Sequence, residues 1–177
     1  MNRYAVLMAS GPDRPGLVDS ISRYIFQCGC NIEDSRMAIL GGEFAMLILV
    51  TGVDSAVDKL LKGAKKAGVR AGLAVQARKT KAPSEAAPKG TIPYELAAFS
   101  MDHPGIVQRI ASYLAERQIN IRALDTSVSN APVTGLPLFS LHAAVDLPAQ
   151  QIVADVRRGL EELAGRENID IELKPAK

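Results

Sequence analysis

The chain holds few groups that could do covalent chemistry. In 177 residues there are two histidines, His103 and His142, and two cysteines, Cys28 and Cys30. The cysteines flank Gly29, and a one-residue spacing suits neither a zinc knuckle nor a C-x-x-C redox pair. They read instead as packing at the end of a helix, with Gly29 as its C-terminal cap. His142 lies in an apolar run and reads as structural. No G-x-S-x-G, G-x-x-x-x-G-K-[ST], H-E-x-x-H or G-x-G-x-x-G occurs. An enzyme needs converging nucleophiles, bases or metal ligands. None converge here, so no catalytic residue, metal site or cofactor is expected.

What the sequence does offer is a loop suited to a small charged molecule. Gly11-Pro12-Asp13-Arg14-Pro15-Gly16 ends one apolar run and opens a helix-like one, and Ser100-Met101-Asp102-His103-Pro104-Gly105 does the same. The first turn of a helix carries unpartnered N–H groups at the positive end of its dipole, where a carboxylate or other small anion can sit. Pro15 and Pro104 fix the backbone, while Gly16 and Gly105 permit close approach. Asp13 and Asp102 can cap the helix or accept from a ligand ammonium. A basic side chain recurs at the tip, Arg14 in one loop and His103 in the other, to contact an anion or simply be solvated. For either loop alone, the competing account is a capped strand-to-helix turn.

The loops are not independent. Asp13 and Asp102, Pro15 and Pro104, Gly16 and Gly105, and Asn31 and Asn120 each stand 89 positions apart. The equivalence therefore spans the loop, the helix after it and the start of the next strand: one small domain, repeated.

Composition limits the partners. Hydrophobic content of 47% and charged content of 23% suit a folded globular chain. A net charge of +2 argues against a dedicated nucleic-acid surface. The lysines at 59–66 and 79–81 read as a solvated helix face and linker. No apolar run is long enough for a membrane span and no secretory pattern follows Met1, so the cytoplasm is the expected compartment.

The elements that position the loops follow in order. Tyr4 to Ser10 reads as a buried strand, and Leu17, Val18, Ile21, Ile25 and Cys28 give a helix of about three turns. Asn31 to Leu40 alternates as a strand, Gly41-Gly42 turns, and Phe44 to Thr51 returns. Asp54 or Ser55 caps a second helix that Gly68 ends, and Val69 to Arg78 closes the unit as a strand. Thr80 to Gly90 has linker composition. The second copy runs Pro93 to Ser100, a helix from Ile106 to about Arg117, then strands Ile119 to Ser129 and Leu138 to Val145 around a longer connection. Pro148 opens its last helix, striped by Ile152, Val156, Leu160 and Leu163, and Ile169 to Leu173 is the final strand. The fold expected is α+β: two ferredoxin-like β-α-β-β-α-β domains in tandem, 1–79 and 93–177, joined by a linker at 80–92.

These residues resemble the ACT domains, small amino-acid-sensing regulatory modules. The signature stands as Asp13-Arg14-Pro15-Gly16-Leu17-Val18 with Asn31-Ile32, and as Asp102-His103-Pro104-Gly105-Ile106-Val107 with Asn120-Ile121. A chain built of two such domains is similar to the glycine cleavage system transcriptional repressor family, regulators that act on a DNA-binding activator protein. The resemblance implies that Asp13, Pro15, Gly16, Leu17 and Asn31, and Asp102, Pro104, Gly105, Ile106 and Asn120, hold a small amino acid such as glycine, often at an interface between domains. It also implies a non-enzymatic regulator working by protein–protein contact. Each sheet leaves a face and edges uncovered, so a homodimer is expected. Two alternatives remain: an assembly module without ligand, and a fragment or regulatory subunit of a formyltetrahydrofolate deformylase-like enzyme.

Overall fold

A computed structural model describes residues 2–83, 90–132 and 134–176. The chain divides into two compact units, Met1–Ala87 and Pro88–Lys177. The first contains β1 (Asn2–Pro12), α1 (Leu17–Gln27), β2 (Asn31–Leu40), β3 (Glu43–Val53), α2 (Asp54–Ala71) and β4 (Ala74–Thr80). The second contains β5 (Thr91–Met101), α3 (Ile106–Glu116), β6 (Asn120–Asn130), β7 (Pro137–Pro148), α4 (Val153–Glu167) and β8 (Asp170–Pro175). The sheets run β2-β3-β1-β4 and β6-β7-β5-β8, with every pairing antiparallel. Each unit is thus β-α-β-β-α-β, as the two periodicities in the sequence require.

Alternation in the central strands makes the core. Ala5, Leu7 and Ala9 of β1 and Phe44, Ile48 and Val50 of β3 are buried beneath Leu17, Ile21 and Ile25 of α1 and Val57 and Leu60 of α2. Leu96 and Ala98, with Leu141, Ala143 and Val145, do the same beneath α3 and α4. Each large side chain so buried contributes about 1.5–3 kcal/mol. Gly41 and Gly42 take φ of 59° and 82°, which a two-residue hairpin turn demands. In the second unit the turn is longer, closed by Ala131 N–H to Leu136 O at 2.8 Å; its Val133 lies outside the described residues.

Several element ends differ from the sequence reading. Gly68 does not end α2, which runs to Ala71 and is capped by Gly72 at φ 70°. Gly68 is instead a contact point: a Cβ there would lie 2.7 Å from both Leu73 O and Val75 Cγ2. The strand therefore starts at Ala74, not Val69. Asp54 and Ser55 cap nothing; Asp54 is the first helical residue and pairs with Arg3 at 2.6 Å. Pro148 ends β7 rather than opening a helix, and Ile152, expected in the apolar stripe, is 65% exposed just before α4. A feature absent from the reading recurs in both units: Tyr24 donates to Leu60 O at 2.6 Å and Tyr113 to Val156 O at 2.8 Å. Each hydroxyl reaches across the helix pair to a carbonyl, beside a glycine (Gly63 or Gly159) that leaves it room.

Burial pushes the Tyr24 phenol and the Cys30 thiol up, and the neighbouring Cys28 adds to both. Groups held neutral in the folded state stabilise it until the unfolded chain can ionise them. Stability is expected to stay level up to about pH 8.5 and to fall as pH rises further through the folded thiol's range, as denaturant titrations across pH would show. Two of the glycines in the second helices give opposite signs. Gly68→Ala should lower unfolding free energy by about 1–3 kcal/mol through overpacking. Gly165→Ala, where a Cβ meets nothing within 4 Å, should raise it by about 0.5–1 kcal/mol.

Candidate functional site

Both loops are fastened by their backbones. Asp13 donates its N–H to Gly42 O and Asp102 to Pro137 O, each at 2.9 Å, so the loop is tied to the neighbouring hairpin. Gly16 and Gly105 precede the helices at φ 90° and 102°, left-handed values that would strain any side chain. The first intrahelical bonds are Ser20 N–H to Gly16 O and Arg109 N–H to Gly105 O, both 3.0 Å. The N–H groups of Leu17, Val18 and Asp19, and of Ile106, Val107 and Gln108, therefore lack intrahelical acceptors.

No side chain caps either helix. The capping role considered for Asp13 and Asp102 is not filled, because glycine occupies the capping position and both carboxylates are exposed. A Cβ built on Gly16 meets nothing within 4 Å, and one on Gly105 meets Arg109 Nε at 3.6 Å. Pro15 and Pro104 are exposed beside these openings. Leu17 and Ile106 are each 2% exposed, so their side chains belong to the core and only their N–H groups face the mouth.

The basic tips diverge. Arg14 Nη2 donates to Ala71 O at 2.8 Å, across to the C-terminal end of α2, where the helix dipole favours a cation. His103 makes no such reach. Its Nδ1 lies 3.3 Å from Pro104 O, and its Nε2 is buried without a partner. Ser100, where the first unit has Gly11, also keeps a buried hydroxyl without a partner. Gly11 could not carry that side chain, since a Cβ there would crowd Leu73 and the Gly72 carbonyl at 3.0 and 3.1 Å.

The asparagines are not beside the loops. Asn31 stands opposite Thr51, which is level with Tyr4, eight residues before Pro12. At about 3.3 Å per residue that is roughly 25 Å along the strand. Asn120 is opposite Asp146 and level with Pro93, again at the far end from Met101. One small ligand cannot touch both from a single domain. Near the asparagines the sequence reading missed two groups: Thr51 Oγ1 and Asp146 Oδ2 are both buried without a partner. Asp146 Oδ1 accepts from Arg122 Nε at 2.8 Å. Each pair lies at a register shift, after Ile32 and after Ile121, and repeated bulges re-aim side chains. A buried-facing Thr and Asp at the ends of otherwise apolar strands were the available signal.

Known proteins share this arrangement. The ACT domain family model matches residues 3–78. The glycine cleavage system transcriptional repressor of Escherichia coli is 28% identical over 162 residues, 90% of this chain and 83% of that protein. UPF0237 protein MK1213 of Methanopyrus kandleri is 40% identical over 73 residues, 40% of this chain and 81% of its own. A crystal structure of an unknown protein from Galdieria sulphuraria superposes over the whole of both chains with a TM-score of 0.84 at 28% identity. Residues 3–78 belong to the ACT-domain family. The second unit repeats the topology of the first and carries the same signature loop at the same structural position. Among the described residues, no helix is long and apolar enough to cross a membrane.

Because neither ACT loop uses its aspartate as a cap, Asp13→Ala and Asp102→Ala should each change unfolding free energy by less than about 0.5 kcal/mol. A true helix cap would lose about 1 kcal/mol, and urea denaturation separates the two.

Proposed function

We propose that the chain is a non-enzymatic regulatory protein that binds a small amino acid, glycine among the candidates, at the helix openings of its ACT loops. The observation that carries this reading is the pair of uncapped helix starts, each with a glycine at positive φ and an unengaged aspartate nearby. Three converging N–H groups suit an α-carboxylate, and the carboxylate of Asp13 or Asp102 suits an α-ammonium. The two loops are not equivalent. Arg14 is occupied at Ala71 O, whereas His103 keeps a ring nitrogen, Nε2, without a partner in the chain. Asn31 or Asn120 reaches such a ligand only from a domain other than the one whose loop holds it, so binding is coupled to the association of domains. The signal passes by contact with another protein, such as a DNA-binding activator. The name of the Escherichia coli relative, a transcriptional repressor, supports that reading.

A thermal-shift screen against the twenty amino acids tests it. A ligand at a hundred times its Kd should add about 2.7 kcal/mol of stability. Asp102→Ala should remove the shift while leaving the unliganded melting temperature in place, and Asn120→Ala should remove it without changing the loop. Absence of a shift with every amino acid would leave the loops as turns and the protein as an assembly module.

A further inference from the structure

The C-terminal end of the second helix is closed in the first unit and open in the second. A helix ends on carbonyl oxygens that have no intrahelical donor, at the negative pole of its dipole. In the first unit the chain itself supplies what that end takes, because the guanidinium of Arg14 donates to Ala71 O at 2.8 Å. The end of β1 also presses on the turn after α2. A Cβ on Gly11 would lie 3.0 Å from Leu73 Cδ2 and 3.1 Å from Gly72 O, so a side chain has no room between them.

The second unit repeats this backbone. Asn168 takes the place of Gly72, left-handed at φ 53°, and Ile169 N–H bonds Ala164 O as Leu73 N–H bonds Gly68 O. Glu167 therefore stands where the first unit has Ala71. Two exchanges open this end. Ser100 replaces Gly11, so β5 carries a side chain where β1 could not, and its hydroxyl is buried with no partner. His103 replaces Arg14, and its shorter ring stays beside Pro104 O. A groove of about 530 Å³ lies here, lined by Ser100, Met101, Gly165, Asn168 and Asp170. Its free charge has one sign. Asp170 has no ion pair among the described residues. Arg109 is committed to the Glu167 carboxylate at 2.9 Å, and Arg166 to Glu162 one turn back. Because Pro104 O can only accept, the neutral His103 ring carries its proton on Nδ1, and the buried Nε2 is left as an acceptor. The unpartnered groups of this region can thus all receive a hydrogen bond.

We infer that this groove binds a small molecule bearing a guanidinium group, which takes at the end of α4 the place that Arg14 takes at the end of α2. The planar fork has enough donors for the last carbonyls of α4 and the Asp170 carboxylate together. The Ser100 hydroxyl gains the polar partner it lacks within the chain. This site is separate from the helix opening at Gly105 and does not rest on an amino acid being bound there.

Agmatine is the probe, because it carries a guanidinium and no carboxylate to occupy the N–H groups of α3. Calorimetric titration at low ionic strength should show one molecule bound per chain with a Kd of about 1 mM or tighter. Amide NMR should place the accompanying shifts at Ser100, Asn168 and Asp170. His103→Arg returns a guanidinium to the chain itself and should abolish agmatine binding. Asp170→Asn should weaken it about tenfold. Circular dichroism checks that each variant is folded, and if His103→Arg is not, Asp170→Asn decides alone. No saturable binding up to about 10 mM, shifts confined to other residues, binding retained by His103→Arg, or unchanged affinity in Asp170→Asn would each overturn the inference.

Discussion

A four-stranded sheet covered on one side only is the constraint from which the rest follows. Both helices of each unit lie on one face, and every second residue of the two central strands is buried beneath them. The intervening residues are left to water or to another protein. The helices also fix where loops fall, since each must start at one end of the sheet and return at the other. That geometry places the Asp-x-Pro-Gly loops and the asparagines at opposite ends of the same sheet. Any ligand site that uses both kinds of residue belongs to an assembly and not to a single domain.

Repetition preserved backbone features more strictly than side-chain chemistry. Left-handed glycines before the first helix, the tie from loop to hairpin, the bulge early in the second strand and the tyrosine bridge between helices all recur. What differs is charge and size: Arg14 against His103, Gly11 against Ser100, and Thr51 against Asp146. Backbone geometry is set by a few residues with little latitude, whereas exposed positions can change at small cost to stability. Two copies of one scaffold can therefore hold different partners.

The fold was legible because its signals are periodic. Alternation gave the strands, helical spacing gave the helices, and the 89-residue offset gave the duplication. Element ends were less legible. Gly68 looked like a terminator, but its role is close packing against Leu73 and Val75, which only the tertiary structure reveals. Pro148 looked like a helix opener, though it is the last residue of β7, opposite Thr91 where the ladder ends. Of the candidate site, the loop and its open helix start could be read directly. The separation of Asn31 from Asp13 could not, because nearness along the chain hides a turn of the path through α1. The engagement of Arg14 by Ala71 was equally hidden, being a contact over 57 positions.

The hairpin after the second strand shows how the repeat tolerated change. Asn31 and Asn120 are 89 apart, but their partners Thr51 and Asp146 stand 95 apart, so the extra length is absorbed in the connection around Ala131–Leu136. Neither sheet's register is disturbed beyond it. Surface turns of this kind accept foreign sequence well. This one is also fastened to the Asp102 backbone through Pro137. A fluorophore or short reporter peptide grafted there would sit next to the second helix mouth, making this turn a natural handle for watching that mouth in solution.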